Sequence, residues 1–275
     1  MPQLVSTVTD LRRAIAALRP APIAMVPTMG ALHEGHVSLV TEAKKHAAHV
    51  VVSIFVNPTQ FAPHEDFDAY PRTLEADMAR LGDGAAIVFA PTAREMYPDG
   101  HATTITVGGP SHGLETDFRP HFFAGVATVV AKLLIAASPD IAVFGEKDYQ
   151  QLLVVQRLAR DLALPTQVLG APTLREADGL AMSSRNAYLS PAERGIAARL
   201  NVILKDVIAA ARLGDLRAAE AAGIQDLYDA GFDHVDYVAI RDAGSLDHLA
   251  ALERPARVLA AAKIGKTRLI DNMAI

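Results

Sequence analysis

The sequence contains no cysteine, and its other absences also restrict what the protein can be. Without thiols the chain forms no disulfide, holds no cysteine-ligated zinc and uses no cysteine nucleophile, a pattern that fits a cytoplasmic protein. Positive charge is not in excess either, since the formal net charge is -5 at pH 7. This balance argues against a nucleic-acid-binding surface.

Long apolar segments are also missing. The longest one, at 126–137, is interrupted by Lys132 and is too short to cross a bilayer. Near the start of the chain, Arg12 and Arg13 fall inside a helical period instead of preceding an apolar core, so we expect no signal peptide. These absences together predict a soluble protein that makes no membrane contact.

Apolar residues are plentiful, at 51% of 275 residues, and their arrangement predicts an α/β fold. Short β-branched runs alternate with helical patterns through the first two-thirds of the chain. Such alternation is typical of a parallel sheet with helices on both faces and with ligands at the carboxyl ends of its strands. The predicted strands are 23–26, 50–56, 85–90, 141–144 and 166–169, and the predicted helices are 37–47, 74–81, 126–137 and 150–162.

After about residue 175 the pattern changes to alanine-rich helices and short strands. Ser190 followed by proline is typical of a helix start. The sequence therefore predicts a large domain at 1–174 and a smaller α+β domain at 175–275, which we expect to act as a lid. The predicted helices of the smaller domain are 191–213 and 216–230, and its predicted strands are 234–241, 257–263 and one near Leu269.

The segment at 27–36 joins the first predicted strand to the first predicted helix and reads P-T-M-G-A-L-H-E-G-H. Unpaired N–H groups and the positive end of the helix dipole meet there, which favours an anion such as a nucleotide phosphate. His33 and His36 are three residues apart, so both can face the same ligand. The segment is therefore a candidate phosphate site.

Two better-known motifs do not fit this segment. Val37 stands where the second histidine of a zinc-protease H-E-x-x-H motif would be, and the dinucleotide-binding G-x-G-x-x-G is missing. The remaining H-x-G-H signature is typical of nucleotidyltransferases and class I aminoacyl-tRNA synthetases, in which the histidines contact ATP phosphates. The alternative is a pair of incidental loop histidines.

Polar residues follow two further predicted strands. Asn57 and Gln60 supply amides, and a glutamine can hold both the hydroxyl and the carboxylate of a small hydroxy acid, although Asn57 alone favours a turn bonded to its own backbone. Lys147 adds a positive charge suited to phosphate. Asp148 either caps the next helix, the interpretation we favour, or bonds a ribose hydroxyl. Gln151 lies one turn into that helix, where it can face the crevice.

The segment at 182–186, M-S-S-R-N, offers two hydroxyls and an arginine, which suit a clamp for triphosphate oxygens; the alternative is a capped surface loop. The Gly-Lys-Thr at 265–267 is not a P-loop, because Ala260 stands where the first glycine is required. The acidic segment at 64–68 lacks the spacing of a calcium loop, so we expect a solvent-exposed flap.

Taken in order, these segments resemble the pantoate–β-alanine ligase family over essentially the whole chain. The resemblance implies a Rossmann-like nucleotidyltransferase domain with a smaller C-terminal domain, in a homodimer. It also implies two steps: pantoate attacks the α-phosphate of ATP to give pantoyl adenylate and pyrophosphate, and β-alanine then displaces AMP. The segments that carry the resemblance are 27–36, 53–61, 70–73, 144–152, 178–189 and 265–272.

The resemblance assigns roles to individual residues. His36 would be the proton donor and would act with His33 and Lys147, while Gln60 and Gln151 would hold pantoate. Mg²⁺ is expected with ATP, although its ligands are unassigned and Asp77 is a guess. The implied ATP-binding residues are Met29, Gly30, Ala31, Leu32, His33, Glu34, Gly35, His36, Gly145, Glu146, Lys147, Asp148, Leu174, Met182, Ser183, Ser184 and Arg185.

One stretch departs from the family pattern. The family usually has R-P-G-H-F before a glycine-valine pair, whereas this chain has R-P-H-F-F at 119–123, so that Phe122 replaces the histidine. Thr116 also replaces an expected glycine. The departure implies either lower activity or a local shift. Two other functions stay open: a nucleotidyltransferase with another acceptor, and a noncatalytic ATP-binding sensor.

Overall fold

The computed structural model describes residues 1–62 and 67–275, and within them six parallel strands form one sheet and three antiparallel strands a second. The first sheet contains β1 (Gln3–Val5), β2 (Ile23–Thr28), β3 (His49–Ile54), β4 (Ile87–Phe89), β5 (Ile141–Gly145) and β6 (Gln167–Ala171). The second contains β7 (His234–Asp242), β8 (Ala256–Ile264) and β9 (Thr267–Ala274). The predicted α/β class is therefore confirmed.

Ten α-helices connect or cover these strands in the described part of the chain. They are α1 (Val8–Leu18), α2 (Glu34–Ala43), α3 (Leu74–Leu81), α4 (Ala93–Met96), α5 (Glu115–Phe118), α6 (Phe122–Ala137), α7 (Tyr149–Asp161), α8 (Pro191–Ala197), α9 (Arg199–Ala211) and α10 (Leu216–Asp229). None of the helices described is long and apolar enough to cross a membrane.

The strand order of the first sheet is β1-β4-β3-β2-β5-β6. The chain runs outward from β2 to β3 and β4, and then returns to the other side of β2 as β5. Strand order therefore reverses between β2 and β5, where the loops that follow the two strands turn apart and leave a crevice for ligands. The H-x-G-H segment follows β2 and Lys147 follows β5, so both open at this crevice.

Alternate strand residues pack on opposite faces of the first sheet. Met25 and Val51 contact the core formed by α1, α6 and α7, whereas Val26 and Val52 contact the core formed by α2 and α3. Burial on both faces explains the uninterrupted apolar runs in the sequence, and it confirms the prediction of helices on both sides. The second sheet and α9 and α10 share a separate core.

The structure corrects several predicted boundaries. Strand β1 was not predicted. Helix α2 begins three residues before the predicted start at 37 and ends four residues before 47, because a capping interaction at His33 starts it earlier. The single helix predicted at 191–213 is two helices that meet at Ala198.

Two predictions outside the first sheet are confirmed. Ser190 caps α8, and Gly265 lies in the β8–β9 hairpin and not in a P-loop. The predicted flap at 64–68 lies largely outside the described residues.

Candidate active site

A cavity of about 900 Å³ opens at the crevice and extends to β9 of the second sheet. This volume falls within the range of about 300–1,000 Å³ found for small-molecule sites. Of the predicted site residues, the cavity is lined by Met29, His33, Gly35, His36, Gln60, Gly145, Lys147, Asp148, Gln151, Leu174, Met182, Ser183, Ser184 and Arg185. The predicted residues that do not line it are Gly30, Ala31, Leu32, Glu34 and Glu146.

The two histidines of the H-x-G-H turn form the N-terminal cap of α2. Nδ1 of His33 accepts the Gly35 N–H at 3.1 Å, and Nδ1 of His36 accepts the His33 N–H at 3.3 Å. This reciprocal pattern is a capping box in which histidines take the usual places of serine and glutamate. Because each Nδ1 is an acceptor, the proton of each neutral ring lies on Nε2. Both rings therefore keep an N–H donor for a ligand.

Both imidazoles are uncharged at neutral pH. Burial, reinforced by the positive charge of Lys147, lowers the pKa of His33 to about 4. Burial and then the neighbouring His33 lower the pKa of His36 to about 3. At pH 7 these rings can donate hydrogen bonds, but they carry no extra proton.

A buried carboxylate holds the turn that precedes the histidines. Oδ1 of Asp77, on α3, accepts the Leu32 N–H at 2.8 Å, and Oδ2 accepts the Ala31 N–H at 3.1 Å. Ala31 has a φ of 49° and Gly30 a φ of 85°, and the left-handed region is unfavourable for alanine. Asp77 thus stabilises a strained turn. Its carboxylate serves the protein backbone and does not fit the guessed role of magnesium ligand.

The turn after β3 positions Gln60. Asn57 is buried and accepts the Thr59 N–H at 3.4 Å, which confirms the predicted backbone turn. Its Nδ2 donates to Oε1 of Gln60 at 3.1 Å, and Nε2 of Gln60 lies 2.8 Å from Sδ of Met29. On α7, the Gln151 amide lines the cavity and has no hydrogen-bond partner in residues 1–62 and 67–275. The two predicted pantoate residues therefore reach the same cavity.

The stretch that departs from the family pattern forms part of the cavity wall. Phe122 lines the cavity, whereas His121 is exposed and does not. The guanidinium of Arg119 lies 3.8 Å from the centroid of the Phe122 ring, and Nη2 of Arg119 donates to the Gln60 carbonyl at 3.2 Å. The phenylalanine thus supports the arginine that holds the backbone of Gln60.

Lys147 lies in a 3-10 turn, Glu146–Asp148, between β5 and α7. Its ammonium lines the cavity and has no ion-pair partner in the described part of the chain. The predicted cap at Asp148 is wrong: Asp148 precedes α7, but its side chain makes no capping hydrogen bond. Its backbone, at φ -94° and ψ 60°, lacks the extended conformation usual for an N-cap. Asp148 lines the cavity instead, which leaves the ribose interpretation open.

The M-S-S-R-N segment is a capped turn at the cavity, and its role as a clamp for triphosphate oxygens stays a prediction. Oγ of Ser183 accepts the Arg185 N–H at 3.3 Å and so caps a short turn, but the segment also lines the cavity. Oγ of Ser184 lies 3.4 Å from the hydroxyl of Tyr70 across the cavity rim. The carbonyl of Leu174 accepts the Met182 N–H at 3.0 Å, which fixes the start of the segment.

The second sheet closes the far side of the cavity through an ion pair that the sequence analysis missed. Both guanidinium Nη atoms of Arg268, on β9, donate to the Glu115 carboxylate at 2.8 Å, and the Tyr237 hydroxyl donates to it at 2.8 Å. Burial alone raises the pKa of Glu115, but Arg268, Tyr237 and Arg119 together hold it below its usual value. Glu115 is therefore a buried, charged group that joins α5 to β9 of the second sheet.

The described side chains around the cavity do not form a site that would hold a metal ion permanently. No group of three histidine or acidic residues in residues 1–62 and 67–275 is arranged to hold a metal ion. Of the cavity carboxylates, Glu115 is paired with Arg268 and Asp271 with Arg175. Mg²⁺ commonly binds through substrate phosphates with one or two carboxylates. Asp148 also lines the cavity, and one such carboxylate is what a magnesium ion that arrives with a nucleotide would need.

Comparisons with known proteins agree with this geometry. The family model described as Pantoate-beta-alanine ligase matches residues 3–274. A pantothenate synthetase from Rhizorhabdus wittichii is 55% identical over 277 residues, which cover 99% of this chain and 98% of that protein. The crystal structure of pantothenate synthetase from Thermus thermophilus superposes with a TM-score of 0.92 at 46% identity and covers 98% of both chains. Pantoate-beta-alanine ligase from Francisella tularensis, complexed with Beta-gamma ATP and Beta-alanine, gives a TM-score of 0.85 at 33% identity, covering 99% of this chain and 97% of its own.

Proposed function

The chain belongs to the pantoate–β-alanine ligase family, and we propose that it condenses (R)-pantoate with β-alanine, using ATP and releasing AMP and pyrophosphate. The observation that carries this proposal is the single cavity shared by the H-x-G-H turn, Lys147 and the amides of Gln60 and Gln151. The ligands of the Francisella protein, Beta-gamma ATP and Beta-alanine, support the same substrates here.

In the first step, the carboxylate of pantoate attacks the α-phosphorus of ATP and pyrophosphate leaves. Such a transfer depends on positioning and on charge stabilisation, so it requires no protein nucleophile. Lys147 and Arg185 supply positive charge, and the N-terminus of α2 supplies its dipole. Neutral His33 and His36 donate hydrogen bonds to phosphate oxygens.

In the second step, the amine of β-alanine attacks the acyl carbon of pantoyl adenylate, and AMP leaves with the C–O–P oxygen. Gln60 and Gln151 keep the pantoyl group in place between the two steps. The apolar wall formed by Phe122, Val126 and Val129 limits the access of water, which would otherwise hydrolyse the adenylate.

ATP enters as its magnesium complex in this proposal, with Asp148 near the ribose or the metal. The division into domains at 1–174 and 175–275 is supported by the separate core of the second sheet. The homodimer, the cytoplasmic location and a lid movement of the smaller domain stay predictions.

The decisive experiment is an ATP–pyrophosphate exchange assay with pantoate and MgATP, followed by addition of β-alanine. We expect pantoate-dependent exchange and then stoichiometric AMP. Formation of ADP would reject the adenylate route. Exchange with a different acid from a panel would indicate another acceptor, and tight ATP binding without any pyrophosphate release would indicate a sensor.

A further inference from the structure

Asn272, on β9, connects the second sheet to the turn that carries Lys147. The Asn272 side chain is buried, and its Nδ2 donates to the carbonyl of Glu146 at 2.9 Å and to that of Lys147 at 2.8 Å. Both amide hydrogens are thus used on two consecutive carbonyls of one turn. The backbone position of Lys147 therefore depends on a residue 125 positions later in the chain.

The amide of Asn272 is itself held from the opposite side. Its Oδ1 accepts a hydrogen bond from the guanidinium of Arg257. The same guanidinium donates to the Glu146 carboxylate at 3.1 Å and lies 3.7 Å from the centroid of the Tyr149 ring. The orientation of the amide is therefore determined, with its nitrogen toward the turn and its oxygen toward Arg257.

The backbone of Asn272 is fixed as well. Its N–H donates to Oδ1 of Asp271 at 2.7 Å, and the Asp271 carboxylate receives both Nη atoms of Arg175, at 2.7 and 2.9 Å. Arg175 directly follows Leu174, whose carbonyl accepts the Met182 N–H at the start of the M-S-S-R-N segment. Two adjacent residues of β9 thus hold the turn that carries Lys147 and the backbone just before the M-S-S-R-N segment.

We propose that Asn272 is a positioning residue for Lys147, an inference that rests on the function proposed above. The lysine ammonium has no ion-pair partner in the described part of the chain, and its long side chain is flexible. The backbone of residue 147 is thus the fixed point from which this side chain reaches the phosphates. Displacement of a reacting group by about 1 Å can lower turnover by about 10²-fold.

The test is a double-mutant cycle that combines Asn272→Asp with Lys147→Ala. Aspartate keeps the shape of asparagine and the acceptor for Arg257, but it places an oxygen against the two carbonyls. We expect Asn272→Asp alone to lower kcat for pyrophosphate exchange by about 10- to 100-fold, with KM for pantoate changed by less than about twofold. In the Lys147→Ala background the same change should cost less than about threefold, because the residue that it positions is already gone.

Thr166→Val is the matched control. It removes a buried hydrogen bond to a backbone carbonyl, from Thr166 Oγ1 to Pro139 at 2.8 Å, far from the cavity lining. This variant should keep kcat near that of the unaltered protein even if it lowers the thermal midpoint. The inference would be overturned if Asn272→Asp had the same kcat as the unaltered protein. It would also be overturned if the fold-decrease in kcat of the double variant equalled the product of the two single decreases.

Calorimetric titration with MgATP separates this inference from the proposed function. If the unaltered protein shows no exchange, the proposed function fails, but ATP affinity still tests Asn272. Asn272→Asp and Lys147→Ala should then weaken ATP binding to a similar extent, and the double variant no further. If Asn272→Asp does not fold, Asn272→Ala is measured in the same cycle, and unchanged or multiplicative ATP affinities reject the positioning role.

Discussion

The backbone N–H of His33 donates to Nδ1 of His36 at 3.3 Å, so one histidine of the site orients the other. This bond assigns the His36 proton to Nε2, on the side of the ring away from the backbone. The bond between Gly35 and Nδ1 of His33 has the same effect on the first ring. The H-x-G-H turn thus presents two neutral N–H donors, and protonation of either Nδ1 would break the cap.

The ionisation of these histidines is directly measurable. With pKa values of about 4 for His33 and about 3 for His36, their imidazole NMR signals should not shift between about pH 8 and about pH 5.5. The same histidines in the urea-unfolded chain should titrate near pH 6.5. A titration of either ring near neutrality in the folded protein would contradict the assignment of neutral imidazoles at pH 7.

The same pKa values make stability depend on pH in a defined direction. Because the folded chain keeps His33 and His36 unprotonated, the unfolded chain binds more protons below about pH 6.5. The free energy of unfolding should therefore fall as the pH falls from about 6.5 toward 4. Urea denaturation should show a smaller decrease for His36→Asn, whose amide oxygen can still accept the His33 N–H. Equal pH slopes in the two proteins would refute this contribution.

Gly125→Ala should displace the turn that carries Gln60. A β-carbon at Gly125, on α6, would lie 2.3 Å from the carbonyl oxygen of Thr59, so the turn that carries Gln60 must move. We expect a loss of about 1–3 kcal/mol in the free energy of unfolding and a higher KM for pantoate. Gly195→Ala is the control, because a β-carbon there meets no atom within 4 Å. An unchanged KM in Gly125→Ala would show that Gln60 tolerates the displacement.

Asp77→Asn should loosen the turn before the histidines. The substitution places an NH₂ group against one of the two backbone N–H donors of Ala31 and Leu32, leaving that donor unsatisfied. Stability should fall by about 1–3 kcal/mol, and KM for ATP should rise more than KM for β-alanine. Asp206→Asn, at an exposed position of α9, should change neither quantity. Equal KM values for ATP in Asp77→Asn and Asp206→Asn would show that Asp77 does not support ATP binding.

Lys147→Ala tests charge stabilisation of the leaving pyrophosphate. Loss of one donor that acts on developing charge typically lowers kcat by about 10²–10³. Lys205→Ala, on the exposed face of α9, changes the net charge equally and should keep full turnover. Quench-flow measurement of adenylate formation should place the defect in the first step. Normal adenylate formation in Lys147→Ala would exclude this role.

Local sequence patterns were sufficient to predict the part of the site that one continuous segment of the chain forms. The strand, the turn and the helix around His33 are adjacent in the chain, so apolar runs, glycine and spacing predicted their order. Helix boundaries were less accurate because alanine-rich periodicity continues through the break at Ala198. A three-residue strand such as β1 is too short to show any period.

No local sequence pattern indicated the hydrogen bonds that support the site from distant parts of the chain. Asp77 and Leu32 are 45 residues apart, Asn272 and Lys147 are 125 apart, and only the tertiary fold brings each pair together. The cap predicted at Asp148 failed for a related reason, because the 3-10 turn before α7 gives this residue a conformation that its type alone does not predict. Most residues that line the cavity were predictable from the sequence, whereas the residues that hold them in place were not.

The bond between Glu115 and Arg268 ties β9 to the short helix α5 at one side of the crevice. Both charges are largely shielded from water. Separating them would require each ion to regain its hydration. Added salt would weaken this buried ion pair very little. Elsewhere on the cavity wall, the hydroxyls of Tyr70 and Ser184 lie 3.4 Å apart, and the guanidinium of Arg185 lies 5.9 Å from the centroid of the Tyr70 ring. Substrates should therefore reach the crevice without separation of Glu115 from Arg268.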